Sequence, residues 1–217
     1  MTNWKINLTG IVASSILIVA CGGGVSTKPE TVTSKKPTAT PPSGAASPKP
    51  AKPAGSKPIA SQGLSGDAAA SHNSVRSKHN LNPLTWSDSL ASYAGEWANH
   101  LANQKNCNME HRSNSGKFKQ LHGENLYWAG AVTWSDGRRE VQNVSIKDAV
   151  KAWADEEQDY NYANNSCKPG KQCGHYTQIV WKKTTAVGCA YKVCGDKSQI
   201  WVCNYSPAGN YIGQKPY

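Results

Sequence analysis

The chain has 217 residues, and its first third carries too few large apolar side chains to build a core of its own, so one folded domain is expected rather than two. The formal net charge of +10 invites a nucleic-acid reading, but residues 1–66 hold seven Lys against one Glu, which is +6 and leaves only +4 for the remainder. The basicity therefore belongs mostly to the N-terminal tail, and no nucleic-acid partner is expected. From about Leu64 onward lie seven of the eight Trp and all nine Tyr, enough for an independent core over roughly 150 residues.

Met1–Lys5 is a weakly cationic start, followed by a mostly apolar run, Ile6–Ala20, interrupted by Asn7, Thr9, Gly10, Ser14 and Ser15. The run is too short and too polar for a membrane span and reads as a secretory signal peptide over residues 1–20. It ends in Ile18-Val19-Ala20-Cys21-Gly22, which is similar to the bacterial lipobox, so Cys21 is expected to become the lipid-modified first residue of the mature chain. Each acyl methylene then buried adds about 0.8 kcal/mol, and several chains on one residue anchor it to the cell membrane or outer membrane. The competing reading is an ordinary signal peptide with an incidental Cys, which makes the chain a secreted protein. Residues 21–66, dominated by Gly, Ser, Thr, Ala, Pro and Lys, read as a disordered tether reaching at most ~3 Å per residue. Its Lys favour anionic headgroups or cell-wall polymers, or they only keep a spacer soluble.

Asp67 can cap a helix running through Ala68-Ala69-Ala70, His72, Val75 and Arg76 and ending near Asn80, ahead of Pro83. A second helix is expected after Ser87, with Leu90, Ala94, Trp97 and Leu101 as its apolar stripe. Ser145 and Asp148 form a capping pattern for a third, whose buried face would carry Ala149, Ala152, Trp153 and Glu156. A carboxylate on an apolar face must find a donor, a cation or a proton. Tyr176–Trp181, Ala186–Val193 and Gln199–Tyr205 are rich in β-branched and aromatic residues and read as strands, the last two joined as an antiparallel hairpin at Gly195-Asp196.

Seven cysteines are an odd number: Cys21 stands alone, while Cys107, Cys167, Cys173, Cys189, Cys194 and Cys203 fall in the domain. The six lack the paired CxxC spacing of a structural zinc site, so three disulfides in an oxidising, extracytoplasmic compartment are expected. Their connectivity has 15 possibilities from sequence alone.

GHYTQIVW at Gly174–Trp181 and CNYSPAGNY at Cys203–Tyr211, preceded by HNSVR at His72–Arg76 and GENL at Gly123–Leu126, resemble the signature motifs of the CAP superfamily, closest to plant pathogenesis-related class 1 proteins. The resemblance covers about residues 67–217. It implies an α+β fold, an αβα sandwich with a central antiparallel sheet, and disulfides Cys107–Cys194, Cys167–Cys173 and Cys189–Cys203. It also implies a central cleft where two His and two Glu meet, which map here onto His111, Glu124, Glu156 and His175. Two neutral imidazoles and two carboxylates suit Zn²⁺ or another divalent ion; a metal-free polar cluster with a protonated His beside a Glu is equally consistent with those residue types.

His72 and Asn73 read as structural, and His79, His100 and His122 as surface or packing residues. Arg112 stands where many relatives carry Ser, placing a positive charge near the cleft that weakens a metal or favours an anionic ligand. The terminal PAGNYIGQKPY is similar to a peptide that some plant relatives release, yet it is read here as a segment that packs on the sheet and closes the domain.

The expected function is a monomeric, non-catalytic extracellular module in which the cleft and the aromatic Tyr127, Trp128 and Trp134 bind a lipid, sterol-like, glycan or host-surface ligand; the competing reading of the same aromatics is core. A metal-dependent peptidase or esterase using Glu124 or Glu156 as general base is the alternative, although the chain lacks HExxH and GxSxG. A structural or adhesive surface protein is the third.

Overall fold

The computed structural model describes residues 59–217. The segments expected to be a signal peptide (1–20), an acylation site (Cys21) and a tether (up to residue 58) lie outside the described residues. Helix α1 spans Ile59–Ser77 and so begins eight residues ahead of the expected Asp67 cap; Asp67 instead pairs with Lys147 Nζ at 3.0 Å. Strand β1 is Thr85–Trp86. Helix α2, Asp88–Gln104, starts at Ser87, whose Oγ accepts from Leu90 N, and buries the expected Leu90, Ala94, Trp97 and Leu101. Strands β2 (Gly123–Ala129), β3 (Val132–Thr133) and β4 (Arg139–Glu140) follow.

Helix α3, Ile146–Ala154, carries the Ser145/Asp148 capping box and buries Ile146, Ala149, Val150 and Trp153. Ala152 is exposed, and Glu156 lies beyond the helix in a 3₁₀ turn, Asp155–Asp159. The tighter winding of that turn shifts the face on which Glu156 emerges. A small hairpin, β5 (Tyr160–Asn161) and β6 (Ser166–Cys167), leads to helix α4, Gly174–Ile179. The strand expected over Tyr176–Trp181 is therefore a helical turn. A short apolar run carries no periodicity that separates a strand from a buried helix, and the deciding partner is distant: the Glu156 carboxylate accepts from the backbone N–H groups of His175 and Tyr176 at 3.0 and 3.2 Å. Strands β7 (Ala186–Val193) and β8 (Gln199–Ser206) complete the chain as the expected hairpin.

The central sheet has the order β1-β7-β8-β2. Its three long strands are antiparallel, while the short edge strand β1 runs parallel to β7, making the sheet mixed. Alternation along β8 divides the core: Trp201, Cys203 and Tyr205 face α1, α3 and α4, whereas Ile200 and Val202 face α2. The layers are thus helix, sheet, helix. The start of α2 lies so close on β7 that a Cβ at Gly188 would sit 2.2 Å from Ala91 N and 2.5 Å from Ser87 O, and only glycine permits this approach.

All three disulfides pair as the resemblance implied. Cys107–Cys194 joins the loop after α2 to the end of β7, Cys189–Cys203 bridges β7 and β8, and Cys167–Cys173 closes the segment before α4. Arg76 is fully buried and donates to four carbonyls: Asn82 (2.8 Å), Ile179 (2.8 Å), Trp181 (2.9 Å) and Thr184 (3.2 Å). The HNSVR segment therefore ties α1 to the end of α4 through one guanidinium.

The tail from Pro207 packs over α4 and the β5–β6 hairpin rather than on the sheet. Gly209 N donates to Gln178 Oε1 at 2.9 Å, Asn210 Nδ2 donates to Gly174 O at 2.8 Å, and the Tyr217 ring stacks between His79 and Tyr162. Among the described residues no helix is long and apolar enough to cross a membrane.

Candidate functional site

A cavity of about 330 Å³ opens where the loop after α2, the start of β2, the start of α4 and the tail meet; His111, Glu124, Asn125, His175 and Asn210 are among its walls. His111 stands on the loop that Cys107–Cys194 pins to the sheet, and Glu124 enters from β2 with its side chain fully buried. His111 Nδ1 lies 2.9 Å from Glu124 Oε1, which also accepts from Arg112 N at 3.1 Å. The other oxygen, Glu124 Oε2, receives Asn204 Nδ2 at 3.4 Å.

The opposite wall repeats the arrangement. His175, in the first turn of α4, places Nδ1 2.6 Å from Glu156 Oε1. Glu156 Oε2 accepts the two backbone N–H groups described above, so this carboxylate orients an imidazole and caps α4 together. It sits behind His175 and is not among the residues lining the cavity.

The sequence-derived tetrad is therefore organised as two His–Glu pairs rather than four groups converging on one point. Among the described residues no group of three or more His, Cys, Asp and Glu is placed to hold a metal ion. A carboxylate can only accept at its imidazole, so each Nδ1 carries the proton and each Nε2 keeps its lone pair when the ring is neutral. The donors available to an ion are those two nitrogens, with the carboxylates behind them. General-base chemistry at Glu124 or Glu156 would first have to break the hydrogen bonds that occupy their oxygens.

Arg112 does not project its charge into the cleft. Its side chain is buried, its guanidinium carbon lies 3.7 Å over the Tyr93 ring, and Nη2 donates to Tyr93 O at 2.6 Å and Glu96 Oε2 at 3.0 Å. Among the described residues Nε has no hydrogen-bond partner, and it stands 3.8 Å from Glu124 Oε2. The cation thus backs Glu124 from the protein side.

His72 is fully buried, with Nδ1 at 2.7 Å from Ala68 O and Nε2 at 2.9 Å from Tyr205 Oη. Asn125 Nδ2 bonds both Tyr205 Oη (3.0 Å) and His175 O (3.1 Å). A buried chain of hydrogen bonds therefore runs from α1 to the cleft wall, a link the sequence reading missed because Tyr205 and Asn125 look like ordinary strand residues. Asn73 pairs with both backbone groups of Leu84, donating to O at 3.0 Å and accepting from N at 2.7 Å. His100 stacks on Trp97 and His122 meets Tyr93 edge-on. Burial, reinforced by Arg112, holds the His122 imidazole below its ordinary proton affinity.

Of the aromatics considered for ligand contact, Tyr127 packs against the larger core cluster, while Trp128 and Trp134 are exposed. None of the three lines the cleft.

Residues 69–205 match the sequence profile described as CAP, the cysteine-rich secretory protein family. The chain belongs to the CAP family. Its CAP domain is 44% identical over 146 residues to pathogenesis-related protein PR-1 of Medicago truncatula, covering 67% of this chain and 74% of that one. It is 40% identical over 153 residues to pathogenesis-related protein PRMS of Zea mays, covering 70% and 81%. Among solved structures, BmVAL-1 aligns with a TM-score of 0.55 at 27% identity, covering 71% of this chain and 81% of that one. NaASP2 with Zn²⁺ aligns at 0.52 and 22%, covering 71% and 84%, a likeness that shows the fold alone. A CAP domain held by three disulfides belongs in an oxidising, extracellular setting.

Proposed function

We propose that this CAP domain is an extracytoplasmic binding module rather than an enzyme, and that its cleft takes a divalent cation such as Zn²⁺ through Nε2 of His111 and Nε2 of His175. The observation that carries the reading is the pairing of each Nδ1 with a carboxylate, at 2.9 and 2.6 Å. Metal-ligating imidazoles characteristically give their second nitrogen to such a carboxylate, which fixes the tautomer and raises ligand basicity. Two nitrogen donors leave positions on the ion for water or for an oxygen of a ligand, which fits an open site and not a closed structural one. A bound ion would supply a positive point of attachment for a lipid headgroup, sterol hydroxyl or cell-surface ligand. Acylation at Cys21 and the tether beyond it would hold the domain at a membrane surface.

Calorimetric titration of the oxidised protein with Zn²⁺ tests the reading. One equivalent should bind, and binding should vanish in the His111→Ala/His175→Ala variant. Absence of binding in the unmodified protein, or its persistence in the variant, would overturn the proposal.

A further inference from the structure

A second cavity, of about 300 Å³, lies beside the cleft and shares Cys173, Gly174 and Asn210 with it. It is enclosed by the β5–β6 hairpin, α4 and the tail. Its walls are fixed: the disulfide-bonded Cys167 and Cys173 are both part of its lining, Asn165 Nδ2 donates to Gln214 O at 3.1 Å, and Thr177 Oγ1 donates to Asn210 Oδ1 at 2.7 Å. The pocket is thus built by the fold before any ligand arrives.

Its chemistry is unlike that of the surrounding surface. None of its fourteen lining residues is Asp, Glu, Lys, Arg or His. With 18% of the chain charged, two or three such residues would be expected in a set of that size. Instead the lining combines the aromatic Tyr160, Trp181 and Tyr211 with side-chain amides and hydroxyls. The Trp181 and Tyr211 rings lie 6.1 Å apart, inclined at 49°. At the rim Tyr211 is 54% exposed and Ile212 is wholly exposed.

Aromatic planes for apolar ring faces, amide and hydroxyl groups for hydroxyls, and no charge describe a site for a neutral polyhydroxylated ring. Pockets of this size, with apolar walls and a few polar groups that set orientation, are the general form of small-molecule sites. We propose that this cavity binds a neutral sugar ring of a surface glycan, with Tyr211 as its stacking platform and Gln214 as a hydroxyl partner. The shared wall at Asn210 lets a glycan chain continue toward the cleft. The site requires no metal, so it stands or falls separately from the cation reading.

The test is titration of the ¹⁵N-labelled oxidised protein with cellotriose, mannotriose and triacetylchitotriose, followed by NMR, with a trimer of galacturonic acid as the anionic control. At least one neutral trimer should give saturable shifts of the Trp181 indole and Gln214 amide signals, with a dissociation constant near the millimolar range. Tyr211→Ala and the surface change Gln214→Glu should each weaken binding at least tenfold. Trp134→Ala, a change at an exposed aromatic that does not line the pocket, should leave it unchanged. The proposal is overturned by no saturable shift with any neutral trimer to about 20 mM, by tenfold tighter binding of the anionic trimer, or by binding that survives both pocket variants.

Discussion

His72 makes the stability of this domain dependent on pH in a direction and over a range that the structure specifies. Complete burial, reinforced by the positive charge of Arg76 one turn along α1 and only partly offset by the bond to Ala68 O, lowers its pKa from 6.5 to about 4. Tyr205 Oη already donates to Nε2, so a second proton on the ring would face another donor. Between those two values the unfolded chain binds the proton and the folded chain does not, so stability rises with pH across that window. The contribution is complete above pH 6.5 and is lost as pH falls toward 4. At 1.36 kcal/mol per unit, the full loss is about 3 kcal/mol, and the part lost between pH 7.5 and 5 is about 2 kcal/mol. Urea unfolding of the disulfide-intact protein in EDTA at these two pH values measures it. His72→Asn, which cannot take up the proton, should be less stable at pH 7.5 but should lose about 2 kcal/mol less on going to pH 5. The reasoning is refuted if the variant and the unmodified protein lose the same amount.

Other consequences are accessible to simpler assays. Gly188→Ala drives a methyl group into the backbone at the start of α2, and a destabilisation of about 3 kcal/mol or more is expected, visible as a lowered unfolding midpoint. Arg76→Met keeps much of the side-chain volume but strands four carbonyl groups. It should cost about 3 kcal/mol or more in urea unfolding, whereas the neighbouring exposed change Ser77→Ala should cost under about 0.5 kcal/mol. If the cleft takes Zn²⁺, Glu124→Gln should weaken calorimetric affinity roughly 10- to 100-fold without abolishing it, because it loosens the orientation of His111 rather than removing a donor.

The sequence by itself determined the features that depend on near neighbours. The α2 stripe of Leu90, Ala94, Trp97 and Leu101, the Ser145/Asp148 cap of α3 and the β7–β8 hairpin all follow from periodicity and turn chemistry within a few residues. Motifs also singled out His111, Glu124, Glu156 and His175, but they name residue types without arranging them. Tertiary structure alone decided what distant partners impose. Glu156 turns the stretch after Cys173 into α4 and takes the Nδ1 of His175, and β1 joins the sheet by pairing with a strand about a hundred residues later. Arg112 is drawn away from the cleft by Tyr93 and Glu96. The second cavity has no sequence signature, since its walls come from a hairpin, a helix and a tail that meet only in the fold. Local pattern fixes which residues can cap, stripe or turn, but a hydrogen bond or ring contact between remote residues exists only once the chain has closed around it.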